Sequence, residues 1–230
     1  MTNLKPQVKP PQDDRVAQIN PRQFLPATRL AEFNKGQIVY GAMRPAPALY
    51  LIIDGRVKLS RPTWDDQSVV VEVLHADEYF GETIFHPQPV NGEQATAMDR
   101  TRVMSWDRDE IRGIALREPE LAISLLQIAV RRCHDFATRL QALSTDTVAE
   151  RLATALSRFA ERFGRSSGKN IEIPIPLTHE LLAQYVGTSR EIITSDLTAM
   201  RRKGLLHYSR QGITLTPAFF SAKSTPVLTQ

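Results

Sequence analysis

Residues 177–216, LTHELLAQYVGTSREIITSDLTAMRRKGLLHYSRQGITLT, restrict what this chain can fold into more than any other stretch. Thr178 can cap a helix whose apolar positions Leu181, Leu182, Tyr185 and Val186 recur at helical spacing. Gly187 then supplies the left-handed backbone that ends that helix. Thr188 and Glu191 read as a T-x-x-E capping box that starts a second helix, running to about residue 203, where Gly204 stops it. Ile193, Leu197 and Met200 share one face of this helix and are predicted to face a core. Residues 205–208 and 213–215 flank Ser-Arg-Gln-Gly, which suits a hairpin. Two short helices about a glycine turn, followed by a small wing, predict a winged helix-turn-helix.

The outer face of the second helix carries Arg190, Glu191, Thr194, Ser195, Thr198, Arg201 and Arg202. An arginine can fork onto guanine O6 and N7, and a glutamate can accept from cytosine N4, so the pattern predicts a helix that enters the major groove of double-stranded DNA. Base contacts are expected from Ser189, Arg190, Glu191, Thr194 and Ser195, and phosphate contacts from Thr178, Thr188, Arg201, Arg202 and wing residue Arg210. Asp196 takes a place that is usually apolar in such helices; it is expected to pair with an arginine or to mark a slight rotation of the helix. The blander alternative is an ordinary helix pair with solvated charges. Against it stand cap, glycine and wing signals in the required order.

The rest of the chain has room for a second domain with its own core: 230 residues, 42% hydrophobic, with a net charge of only +4. Residues 1–20 are rich in Pro, Gln and Lys and are expected to be a flexible arm. Over 21–115 the texture turns to short strands, at 37–40, 49–53, 56–60, 68–74 and 101–106, separated by turn signals, which predicts a compact roll. Pro119 then opens a long helix to about 143, within a segment 116–147 whose last residues, 144–147, interrupt the pattern and form a hinge. A further helix at 148–162 and a polar loop at 164–169 lead into the winged segment, in a domain spanning 148–230. The long helix has two apolar stripes, where a single-sided surface helix needs one. The extra face has to be buried by something, either the preceding roll or a second copy of the chain; on the second reading Leu121, Leu125, Ile128, Cys133, Phe136 and Leu140 are expected at the interface of a homodimer.

Several classes are excluded. The single cysteine, Cys133, rules out an internal disulfide and any iron-sulfur or zinc site built on several thiolates. No apolar run reaches the roughly 18 residues of a membrane span, and the start MTNLKPQVKPPQDDR lacks a signal-like apolar segment, so a cytoplasmic location is expected. There is no phosphate-cradling Gly-Lys loop, no metal cluster and no nucleophile beside a recognisable base, so no enzymatic activity is expected.

Taken in order, KGQIVYGA, LYLIIDGRVKL, VVVEVLHADEYFGE and RVMSWDRDEI, followed by a long helix and GTSRE, resemble the Crp/Fnr family of bacterial transcription regulators from residue 24 to 215. The resemblance implies an α+β chain: an N-terminal double-stranded β-helix (jelly-roll-like) sensor domain of the cyclic-nucleotide-binding kind, a long dimerisation helix, and a C-terminal winged helix-turn-helix domain. It also implies a homodimer on a palindromic site with half-sites about one helical turn apart, and RNA polymerase as a partner.

The effector pocket implied by the family comprises Gly81, Glu82, Gln94, Ala95, Phe136 and Ala137. Family members that bind cyclic nucleotides hold the phosphate with Arg-Ser where this chain has Gln94-Ala95, and the base with hydroxyls where it has Phe136-Ala137. A charged hydrogen bond contributes about 1.5 to 3 kcal/mol, so loss of the arginine alone should weaken binding about ten- to a hundredfold. Cyclic AMP is therefore not the expected effector, and no cofactor is identified. Gly81 and Glu82 fit a tight turn better than an anion site. His75, His86 and His134 are the residues a haem could use, in the weak sense that imidazole binds iron. In the DNA-reading helix, Ser195 replaces a second arginine of the nearest family pattern, so the recognition word should differ. A regulator of transcription is the leading reading; the alternative is a ligand-sensing module that regulates a protein partner without specific DNA binding.

Overall fold

The computed structural model of the protein describes residues 19–64, 67–88, 92–209 and 212–223. Most of the arm expected at 1–20, and Arg210, lie outside the described residues. The first domain contains β1 (Arg29–Phe33), β2 (Ile38–Tyr40), β3 (Leu49–Asp54), β4 (Arg56–Pro62), β5 (Ser68–His75), β6 (Tyr79–Phe80), β7 (Gln94–Ala97) and β8 (Thr101–Trp106). They form two antiparallel four-stranded sheets, ordered β1-β8-β3-β6 and β2-β7-β4-β5. Tyr50, Ile52, Phe80 and Val103 from the first sheet pack against Tyr40, Val57, Leu59, Leu74 and Ala95 from the second, which gives the predicted roll its core. Strand β3 is buried on both sides, because Leu49 and Leu51 point away from that core into a second cluster with Trp106, Ile111, Ile114 and Leu121. A strand covered on both faces reads as a continuous apolar run, as LYLII does.

Helix α1 (Arg108–Ala115) is started by a reciprocal capping box between Asp107 and Glu110. Helix α2 (Pro119–Thr145) follows; its 27 residues span about 40 Å at 1.5 Å per residue. The chain leaves the helical path at Asp146 and re-enters it at α3 (Val148–Phe163), capped by Thr147 and Glu150, so the break falls inside the predicted 144–147. Hydrogen bonds from the Thr147 amide and hydroxyl hold the Glu150 carboxyl below its ordinary pKa.

Helix α2 corrects one expectation. Leu121 is fully buried in the roll-side cluster and Leu125 and Ile128 pack on it, so these three residues, expected at a homodimer interface, face their own roll. The exposed apolar side carries Ile123, Leu126, Val130, Phe136, Leu140 and Leu143, together with Cys133.

The C-terminal unit contains β9 (Arg165–Ser167), β10 (Asn170–Ile173), α4 (His179–Val186), α5 (Arg190–Arg202), β11 (Leu206–Tyr208), β12 (Ile213–Leu215) and α6 (Pro217–Lys223). The predicted polar loop at 164–169 is instead strand β9 and its turn, because the β11–β12 wing extends through β10 into a four-stranded sheet, β11-β12-β10-β9. The core of this unit includes Leu152, Leu156, Phe159, Leu182, Tyr185, Ile193 and Leu197, and it takes in Val70 and Val73 from β5 of the roll. The C-terminal unit is thus docked on the roll through shared apolar surface.

Candidate nucleic-acid interface

Local chemistry sets the turn between α4 and α5. The Thr178 hydroxyl accepts the Leu181 amide at 3.1 Å and so caps α4. Gly187 adopts φ +77°, and the amides of Gly187 and Thr188 both return to the Ala183 carbonyl, at 2.9 and 3.1 Å. Thr188 therefore closes α4 and does not open α5. The cap of α5 is Ser189, whose hydroxyl accepts the Ile192 amide at 3.4 Å, so the expected Thr188–Glu191 capping box is corrected by one residue.

Helix α5 has two faces. Ile193 and Leu197 are fully buried and Met200 packs beside them. Arg190, Thr194, Thr198, Arg201, Glu191, Ser195 and Arg202 fall within an arc of about 140° on the other side, at 100° per residue. All are exposed except Thr198, which is half-buried. Among the described residues the Arg190 guanidinium makes no hydrogen bond or ion pair. The Glu191 carboxyl is held below its usual pKa by its own backbone amide and the Ser189 hydroxyl, so it is ionised and an acceptor at neutral pH. The Thr194 hydroxyl is already engaged: it donates to the Arg190 carbonyl at 2.8 Å and meets Nδ1 of His179 at 2.8 Å. Arg201 lies over the Tyr208 ring at 5.1 Å, which ties the last turn of α5 to the wing. The expected pairing of Asp196 is not formed; it is half-buried with no ion pair among the described residues.

One residue of this surface escaped the sequence pattern. His179 begins α4, touches Thr194 on α5, and packs edge-on to Tyr208 of the wing at 5.5 Å, so it joins α4, α5 and the wing. Burial, then the nearby Arg190 charge, lowers its pKa. A histidine directly after a capping threonine was the available signal.

The six pocket residues expected in the roll are placed as follows. Gly81 has φ +85°, and a Cβ there would sit 2.3 Å from the Ala48 carbonyl oxygen, so the position admits only glycine. Glu82 is ion-paired to Arg132 of α2, which also donates to the Tyr79 carbonyl. The Gln94 amide donates to Thr96 at 3.1 Å, and Ala95 is fully buried opposite Tyr40. Phe136 and Ala137 are exposed on α2, where Phe136 borders Val69 and Val71 of β5. Beside Gln94, Glu93 accepts a hydrogen bond from the Tyr40 hydroxyl, and burial raises the pKa of both groups. Stacked Tyr40, Tyr50 and Phe80 rings fill the adjoining core. A cleft of about 1420 Å³ lies elsewhere, between β5, α2 and α3, and none of the six residues lines it. Of the three histidines, His75 Nδ1 bonds to the Ala76 carbonyl, His86 Nδ1 bonds to the Gln88 carbonyl, and His134 is exposed on α2. No group of three or more His, Cys, Asp or Glu among the described residues is arranged to hold a metal.

Known proteins match both halves. Residues 30–118 match the cyclic nucleotide-binding domain, and residues 150–217 match the Crp-like helix-turn-helix domain. A CRP-like cAMP-activated global transcriptional regulator of Mycobacterium tuberculosis is 31% identical over 186 residues, covering 80% of this chain and 83% of the relative. The chain belongs to the Crp/Fnr family. The global nitrogen regulator of Synechococcus elongatus is 24% identical over 189 residues, covering 81% of this chain and 85% of that one. The structure of FixK2 from Bradyrhizobium japonicum superimposes with a TM-score of 0.75 at 19% identity, over 88% of this chain and all of that one, which supports the fold. Relatives of this Crp/Fnr protein thus include a global transcriptional regulator and a global nitrogen regulator, in line with the regulatory reading of its sequence. No helix among its described residues is long and apolar enough to cross a membrane.

Proposed function

We propose that the protein is a homodimeric transcription regulator that reads a palindromic DNA site and does not respond to cyclic AMP. The observation that carries the reading is the first turn of α5, where an unengaged Arg190 and an ionised Glu191 stand exposed above the buried Ile193 and Leu197. A fork donor and an acceptor on one exposed helical turn match guanine and cytosine edges. The partner copy would lie along α2. Ile123, Leu126, Val130, Cys133, Ala137 and Leu140 alternate three- and four-residue steps, the spacing of a two-stranded seam, and they point away from the roll-facing Leu121 and Ile128. RNA polymerase would then be met by surfaces other than α5.

Titration of the full-length protein against its selected palindrome and against random duplex, at two salt concentrations, tests the reading. Phosphate contacts give a steep negative salt slope on both, and base reading adds a preference for the palindrome of about 10³-fold or more. A flat slope would favour the alternative, a sensor acting on a protein partner.

Cyclic AMP independence rests on the phosphate position, where Gln94 and buried Ala95 stand beside the carboxyl of Glu93. A ligand at about a hundred times its Kd stabilises a protein by about 2.7 kcal/mol. Millimolar cyclic AMP is therefore expected to leave the melting temperature unchanged, and an upward shift of several degrees would overturn this part.

A further inference from the structure

We propose that Arg139 is a positioning residue that fixes the separation of the two recognition helices, and with it the spacer length that a palindrome must have. The proposal rests on the DNA-reading function above. Arg139 projects from α2 one residue before Leu140 of the seam, and its guanidinium donates to backbone carbonyls of two other units. On the roll it meets Val71 and, at 3.1 Å, Val70 of β5. On the reading unit it meets the Tyr185 carbonyl in the last turn of α4 at 2.9 Å, and it lies 4.2 Å from the centre of the Tyr185 ring. The Tyr185 hydroxyl is buried without a partner among the described residues, so the ring is held by its face and not by its oxygen.

This geometry suits arginine and little else. The planar guanidinium can spread several donors over separate acceptors, and the carbonyls at a helix C-terminus carry the negative end of its dipole. No carboxylate is among the partners, so the full cation acts on carbonyls and a ring. Arg151 of α3 grips the same end of α4, through the Val186 carbonyl at 3.2 Å, and the hinge through the Asp146 carbonyl at 3.0 Å. The adjoining ion pairs hold α3 to the roll: buried Glu72 accepts from Arg158 at 3.2 Å and from Arg162, and Arg158 also reaches Asp135 of α2 at 2.6 Å. Those pairs likewise tie the C-terminal core, through α3, to the roll and to α2; Arg139 is the tie that runs from the seam helix to the roll and to α4, the helix next to α5.

The link to spacer length is geometric. The apolar contact with Val70 and Val73 and the Arg158 and Arg162 pairs remain without that joint, so its loss loosens the seat of α4 against the seam helix and does not free the unit, and two-fold symmetry makes any such shift count twice in the distance between recognition helices. A change of one base pair shifts a half-site by about 3.4 Å and rotates it by about 34°, so spacer discrimination needs a head fixed to within a few ångströms.

The test titrates the full-length protein against palindromes that keep the selected half-sites and vary only the spacer, from two base pairs shorter to two longer. The wild type is expected to prefer one spacer by about tenfold per base pair of error or more. Arg139→Ala is expected to compress that preference to about threefold or less, while discrimination against a single base change in the half-site stays as in the wild type. Arg139→Lys keeps the charge without the spread of donors and is expected to fall between the two. A purely structural role would lower affinity on every spacer alike. Wild-type spacer ratios in the folded variants overturn the proposal; should Arg139→Ala not fold, Arg139→Lys decides alone. A wild type that prefers no palindrome over random duplex overturns DNA reading itself and this inference with it, which separates the two failures.

Discussion

Val130→Glu is expected to turn the dimer into a monomer and to weaken binding to the palindrome by about 10² to 10⁴-fold. Val130 is 59% exposed on α2, between Leu126 and Cys133 on the proposed seam, so its replacement empties no cavity in the chain itself. In a dimer, two symmetry-related glutamates would face each other in an apolar seam, and burying two like charges there is strongly unfavourable. Once the copies separate, the second half-site is no longer met at high effective concentration, and that loss sets the size of the effect. Sedimentation and DNA titration read it directly. Leu116→Glu, at a residue 77% exposed and off the seam, is the control and should leave both unchanged. On the proposed seam the two copies of Cys133 would face each other across a parallel helix pair, where a disulfide could bridge them. Because the chain has one cysteine, a disulfide can form only between copies. With diamide as the two-electron acceptor, two thiols give one disulfide and the reduced diamide, and a covalent dimer should appear on a non-reducing gel. A Val130→Glu protein that remains dimeric, or a wild type that does not cross-link, sinks this seam.

What the sequence revealed and what it hid divide along the range of the interactions involved. Thr178, Gly187 and Gly204 were legible because a cap and a left-handed turn depend on neighbours within four residues. The cap of α5 was displaced by one because Thr-Ser-Arg-Glu offers two hydroxyls. The Gly187 turn committed the Thr188 amide to Ala183 and left the role to Ser189. Both stripes of α2 have helical spacing, so periodicity could not say which one the roll would take. Leu121 was decided by Leu49, Leu51 and Trp106, which lie far away in sequence. Strand β9 has three exposed residues and no alternation; it forms because β10 presents an edge. In the roll, the absence of Arg-Ser at Gln94-Ala95 was visible, but the Tyr40–Glu93 hydrogen bond spans 53 residues and needed the fold. The Arg139 joint is further removed still, since its acceptors are backbone carbonyls, which no side-chain pattern announces.

Arg190→Ala should separate base reading from phosphate attraction. The guanidinium is exposed in the first turn of α5 and makes no hydrogen bond or ion pair among the described residues, so its removal should leave the fold and its melting temperature unaltered. A bidentate contact to one base contributes about 1 to 3 kcal/mol of discrimination, so each half-site should lose about five- to 150-fold. A palindrome contains two half-sites, and for well-separated positions the losses add, giving about 2 to 6 kcal/mol on the full site. Random duplex should lose far less, because Arg201, Arg202 and the exposed helix starts at Thr178 and Ser189 remain to meet phosphates. Arg190→Lys keeps the charge but not the fork, and it should restore affinity for random DNA without restoring preference for the site. Paired titrations at one fixed salt concentration give the ratio that matters. An equal loss on both duplexes would make Arg190 a phosphate contact and move base reading to Glu191 and Ser195, its neighbours on the same exposed arc.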